Sequence, residues 1–119
     1  MMGCSTTNSP NDVIQGTVSY RERIALPPGA YLELVLADVS LADAPYIVLN
    51  KKRITSLGQV PISFEISYDR QQIIENHTYS VMARIYDQGS LLFINDQAYL
   101  VITKYQTKEI HMVLKRVPN

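Results

Sequence analysis

The chain has 119 residues, with 11 basic side chains balanced by 11 acidic ones. That balance removes the electrostatic case for a nucleic-acid partner, and a chain of this length suits a single domain that buries roughly 65% of its unfolded surface. The hydrophobic fraction is 46%, with eight tyrosines, two phenylalanines and no tryptophan. No apolar run approaches the roughly 18 residues of a membrane-crossing helix. The single cysteine, Cys4, cannot form a disulfide within the chain.

Residues 1–11 are polar and read as a flexible tether, so the folded domain is expected over 12–119. From Val13 the pattern is that of a strand: Ile14, Gly16, Val18 and Tyr20 alternate with Gln15, Thr17 and Ser19. Pro27-Pro28-Gly29 makes a turn, because proline fixes φ and glycine accepts a positive φ. Leu32, Leu34 and Leu36 then alternate with Tyr31, Glu33 and Val35 in the clearest strand of the chain. Asp38 to Pro45 is a connector in which Ser40 and Asp43 have the N-cap and N3 spacing of one helical turn. Tyr46 to Ile54 reads as an edge strand, since Lys51-Lys52-Arg53 are the charges an edge carries.

Gly58-Gln59-Val60-Pro61 turns the chain into a second clear strand, Ile62 to Tyr68, with Phe64 facing the core. A polar connection over 69–78 precedes Tyr79 to Ile85. Ile73 and Tyr79 flank that connection as in the tyrosine corner of Greek-key sandwiches, where a hydroxyl bonds upstream backbone. A plain core aromatic is the other reading of Tyr79. Asp87-Gln88-Gly89-Ser90 is a hairpin turn, Leu91-Leu92-Phe93-Ile94 answers it, Asn95-Asp96 turns again, and strands follow at 99–103 and 110–114. Seven or eight strands with turns every 8–12 residues predict an all-β, single-domain antiparallel β-sandwich with Greek-key-like connections.

Chemistry is sparse. His77 precedes a strand and His111 alternates onto a solvent face; neither has a Cys or second His at metal-ligand spacing. Asp38/Asp43 and Asp87/Asp96 sit in turns, where aspartate satisfies local amides. No glycine-rich phosphate loop or nucleophile elbow occurs. No catalytic residues, metal or cofactor are therefore expected. Leu91, Leu92, Phe93 and Ile94 break the alternation. A strand buried on both faces reads this way, and so does an exposed groove that takes a peptide.

Cys4 follows Met2-Gly3 and precedes a Ser/Thr/Asn/Pro stretch. A small residue before a cysteine and a polar spacer after it match the end of a bacterial lipobox, without the apolar segment of a signal peptide. A free cysteine in a polar tail is the alternative.

Three turn blocks carry a resemblance: Ala25-Leu26-Pro27-Pro28-Gly29-Ala30, Ser40-Leu41-Ala42-Asp43-Ala44-Pro45 and Gly58-Gln59-Val60-Pro61. With Tyr79 to Ile85 and Gly89 to Phe93, the chain from about Gln15 to Ile102 resembles the YbaY-type envelope lipoproteins, a family that includes the YscW-type pilotins of type III secretion. The resemblance implies a β-sandwich with a binding or assembly role and no catalysis. It implies acylation at Cys4, and Ser5 after it fits sorting to the outer membrane, with the domain facing the periplasm. In the pilotin branch the partner is the C-terminal tail of an outer-membrane secretin; Leu91, Leu92, Phe93 and Ile94 are the candidate surface for such a peptide. A structural or stress-related lipoprotein without a peptide ligand is the alternative, a small-molecule carrier ranks third and an enzyme last.

Overall fold

The computed structural model describes residues 11–40, 44–55, 57–103 and 109–117. Eight strands account for most of them: β1 (Asn11–Tyr20), β2 (Ala30–Asp38), β3 (Ile47–Ile54), β4 (Ile62–Asp69), β5 (Tyr79–Asp87), β6 (Ser90–Ile94), β7 (Tyr99–Val101) and β8 (Glu109–Arg116). Among the described residues the one helical element is a 3-10 turn, Arg70–Gln72, capped by the Asp69 side chain. The helical turn anticipated at Ser40 to Asp43 falls mainly on residues 41–43, outside the described set.

The all-β expectation and the strand count hold, but the antiparallel sandwich does not. The strands form one mixed sheet in the order β3-β2-β5-β6-β8-β1-β4, with β7 pairing β5 beside β6. The first and last strands of the chain, β1 and β8, are parallel neighbours. A sandwich keeps its two sheets apart. Here Phe93 and Ile94 of β6 pair with Arg116 and Lys115 of β8, and the ladder turns the corner from one half to the other.

On the opposite side β3 and β4 face each other across a seam. The Asn50 Nδ2 donates to the Ser67 carbonyl at 2.7 Å, and Lys52 Nζ donates to the Glu65 carbonyl at 2.6 Å. Side chains thus bridge a gap that none of the described strands fills, and the molecule is a nearly closed barrel. A period of two marks a strand in any sheet, parallel or antiparallel, so alternation alone does not reveal this closure.

The inward residues are those the alternation singles out. Ile14, Val18, Leu32, Leu34, Leu36, Val81, Ala83, Ile85 and Met112 are completely buried. Tyr20 of β1 stacks on Phe93 of β6 at 4.2 Å between ring centroids, joining the two halves through the interior. Gly16 is inward too, but its role is space. A Cβ there would lie 1.6 Å from the Ile110 carbonyl oxygen of β8, so the close parallel approach of β1 and β8 requires glycine.

Two turns follow their sequence signals. Gln88 and Gly89 have φ of 51° and 84°, the pair of positive angles that a two-residue hairpin loop demands. Tyr79 combines both of its readings. It is 1% exposed in the core, and its hydroxyl accepts the Ile74 amide at 2.8 Å, pinning the connection before β5.

Candidate peptide-docking site

Cys4 lies outside the described residues. The Leu91–Ile94 stretch divides by register. Phe93 opposes Ile85 and is 1% exposed inside the barrel, whereas Leu91 opposes Tyr86 and Ile94 opposes Arg84 on the outside. A register shift between Ile85 and Tyr86 explains the broken alternation: the extra residue, Leu92, packs half-buried against the core. Both strand edges are in use, one on β5 and one on β8, so the geometry speaks for a mostly buried strand whose outward residues are Leu91 and Ile94.

Those two belong to a larger surface. Residues directly opposite each other on paired strands share a face, so the registers define rows across the outer face of β3-β2-β5. One row runs Leu100–Ser80–Ala37–Val48, the next Met82–Val35–Lys51. The third is Ile94–Arg84–Glu33–Arg53 and the fourth Leu91–Tyr86–Tyr31. The face is therefore apolar at one end, charged in the middle and aromatic at the other end. Tyr31 and Tyr86 stack at 5.3 Å, and the Arg53 guanidinium sits 4.5 Å over the Tyr31 ring. Val35 and Ala37 are buried although they lie outside the central core cluster.

The apolar end continues into an exposed corner. Tyr46, Ile47, Val48 and Ile74 are 43%, 61%, 43% and 49% exposed. Large apolar side chains this open are informative when they are contiguous. Ile47, Val48, Leu49, Gln72 and Ile74 line a hollow of about 190 Å³ whose floor is Asp38 and His77. Two elements meet here: the start of β3, and the connection between the 3-10 turn and β5.

Beneath the corner is a polar hub. Asp38 opposes Tyr79 in the ladder, which brings His77, two residues earlier, within reach. His77 Nδ1 lies 2.5 Å from Asp38 Oδ2, while the Ser40 amide and hydroxyl donate to Asp38 Oδ1. The Thr78 amide donates to Ser40 Oγ at 2.8 Å, and Thr103 Oγ1 donates to the His77 carbonyl at 2.5 Å. Burial pushes the Asp38 carboxyl up, but the hydrogen bonds from Ser40 and His77 outweigh it and hold the group below its ordinary value. Sequence reasoning read Asp38 and His77 separately and missed the pair. They are 39 positions apart, and only the β2–β5 register joins them.

Ser40, Asp38 and His77 are the residue types of a hydrolytic triad, but the order is different. In a triad the serine bonds the histidine. Here Ser40 donates to Asp38, and its oxygen already accepts the Thr78 amide. The hub ties β2 to the loop before β5. Among the described residues, no three His, Cys, Asp or Glu side chains gather as metal ligands, and no helix is long and apolar enough to cross a membrane. His111 lies on the outer face as expected, exposed and 2.9 Å from Thr17 Oγ1.

Comparisons with known proteins agree with the resemblance. Residues 9–114 match the family described as type III secretion system lipoprotein chaperone, YscW. The chain is 40% identical over 96 residues to the uncharacterized lipoprotein YbaY of Escherichia coli K12, covering 80% of this chain and 50% of that protein; it thus spans about half the length of this curated relative. The solved structure of an alternative pilotin from the type II secretion system of Vibrio cholerae is 48% identical, with a TM-score of 0.88 over 92% of this chain and 99% of the other. On this match, with its sequence blocks and its nearly closed barrel, the chain belongs to the YscW family.

Proposed function

We propose that this protein is a lipid-anchored envelope protein of pilotin type, which captures a short peptide of an outer-membrane secretin subunit. The observation that supports this most is the structural match to a pilotin over almost the whole of both chains. The family description adds a chaperone role in secretion, exercised by a lipoprotein. In this reading Cys4 carries the lipid. The tether from Cys4 to β1 would then hold the domain within roughly 25 Å of the bilayer, at about 3.6 Å per residue of extended chain. The domain faces the periplasm from the outer membrane.

Pilotin action asks for an exposed apolar surface and no catalytic group. The corner at the start of β3, where Ile47, Val48 and Ile74 are exposed, offers such a surface. Leu91, in the aromatic row, and Ile94, at the end of the charged row, are the other place for an apolar side chain of the peptide; Leu92 and Phe93 would support that strand from within.

The test is a pull-down from detergent-solubilised envelope with the lipidated full-length protein as bait. Recovery of a secretin subunit, displaced by that subunit's own C-terminal peptide, is the expected result. Outer-membrane fractionation without any such subunit would leave the reading of a structural lipoprotein. The Cys4→Ala variant should leave the membrane fraction; a variant that stays would overturn the anchor.

A further inference from the structure

The chemistry of the corner and of β3 specifies what the captured peptide must carry. We infer that it docks along β3 with a bulky apolar side chain in the Ile47/Val48/Ile74 corner and carboxylates over Lys51 and Arg53. This deepens the pilotin reading and rests on it.

Three observations carry the inference. First, the corner holds the most exposed large apolar side chains of the described chain, with Ile47 at 61% and Ile74 at 49%. Its hollow of about 190 Å³ is of the size of one or two side chains, and its walls are mostly apolar. Second, the register shift in β2–β3 between Leu36 and Ala37 places Val48, Lys51 and Arg53 on one outer face. A ligand seated on Val48 therefore meets the cations directly, and its anchor reaches the hollow over the rim of β3, because Ile47 opposes Asp38 on the other side of the strand. Third, the charge there is unbalanced. Lys51, Arg53 and Arg84 share that face with one acid, Glu33, which lies between the two arginines. An acidic segment complements this surface, and a neutral or basic one does not.

The spacing is also set. Val48 and Arg53 oppose Ala37 and Glu33, four positions apart on β2, which is about 13 Å at 3.3 Å per residue. The ligand must place its anchor and its farther carboxylate that far apart, over about four extended residues or about nine helical ones. A bilayer would touch the corner without needing the cation row at that distance. A second copy of this chain offers Glu33 alone as the acid within that row.

The experiment titrates the full-length protein with overlapping peptides that tile the C-terminal tails of the outer-membrane secretins of the source bacterium, read by fluorescence anisotropy. Expected is binding by tiles that combine a bulky apolar residue with carboxylates. Val48→Asp and Ile74→Asp should each weaken binding about tenfold or more, while circular dichroism stays that of the parent. Lys51→Glu should weaken it about threefold to tenfold at low salt, with the loss shrinking as salt rises. A tile whose acids are replaced by lysine should regain affinity for Lys51→Glu.

If a tile binds but ignores these substitutions and is lost with Leu91→Asp, the inference falls and the pilotin reading stands. If no tile binds while the pull-down still yields a secretin displaced by its tail, the inference again falls alone. If neither experiment finds a secretin, both fall. Sedimentation with phosphatidylethanolamine and phosphatidylglycerol vesicles that is abolished by Ile47→Asp, in a protein that binds no tile, would make the corner a membrane contact. Dimerisation abolished by the same change would make it a self-interface. Either outcome overturns the inference.

Discussion

The two outer faces of the barrel follow the same alternation and end with opposite surfaces. On β4-β1-β8 the outward rows are Ser67–Val13, Glu65–Gln15–Glu109, Ser63–Thr17–His111 and Ser19–Val113, polar but for two half-buried valines. On β3-β2-β5 the outward rows hold Val48, Ala37, Val35, Met82, Tyr31 and Tyr86, with charges confined to the middle. Solvent alone explains the first face. The second buries Val35 and Ala37 but leaves Val48, and beside it Ile47 and Ile74, open to solvent, a contiguous exposure that marks a contact surface. The contrast teaches that the apolar corner is a feature of the surface and not a spillover of the packing.

Substitutions can break or sharpen this contrast. The largest effect is expected at Gly16, on the polar half. Gly16→Ala puts a methyl against the Ile110 backbone, so β1 and β8 must separate or the variant does not fold, a loss above about 4 kcal/mol. Denaturation near that of the parent would mean the two strands are not held so close.

Next is the inside of the apolar half. Phe93→Ala, Phe64→Ala and Ile85→Ala should each cost about 2–5 kcal/mol in urea unfolding, whereas Leu91→Ala, half-exposed on the outside, should cost about 1 kcal/mol or less. Equal losses at Phe93 and Leu91 would contradict the register of β6.

Tyr79→Phe keeps the ring but leaves the Ile74 amide without its acceptor. A cost of about 1–2 kcal/mol is expected, with faster amide exchange around Ile74. An unchanged exchange rate would mean the hydroxyl does not pin the connection.

A smaller, pH-dependent effect separates Asp38 from the exposed Glu109–His111 pair on the polar face. A carboxyl depressed by folding stabilises the native state above its unfolded pKa of about 4, and that contribution is lost as pH falls through the lower folded value. Stability should be level in this respect above about pH 5 and decline below pH 4, and Asp38→Asn should blunt the decline. Glu109→Gln should leave stability close to that of the parent, because both side chains of its pair are about two-thirds exposed. The smallest effect is expected from Ser63→Ala, within about 0.5 kcal/mol, with peptide binding intact.

Much of this architecture is legible in the chain itself. Alternation at Leu32–Leu36 and Ile62–Tyr68 marks both the strands and their inward faces, because a half-buried strand must put every second side chain in the core. Asp87 to Ser90 announces its hairpin, since few residues other than glycine accept the positive φ at position 89. The turn blocks point to the family, and Lys51 to Arg53 mark β3 as an outer strand.

What only the tertiary structure decides is how these strands are joined. Strand direction leaves no trace in a period of two, so neither the parallel β1–β8 pair nor the closure through β6 and β8 can be read from it. The Asp38–His77 pair and the Val48–Lys51–Arg53 face depend on registers and on a bulge, and these set contacts between residues far apart in sequence. Local chemistry determines which residues form strands and which side of each faces inward. Pairing, through backbone hydrogen bonds that carry no side-chain signature, decides which outward residues become neighbours and so form a site.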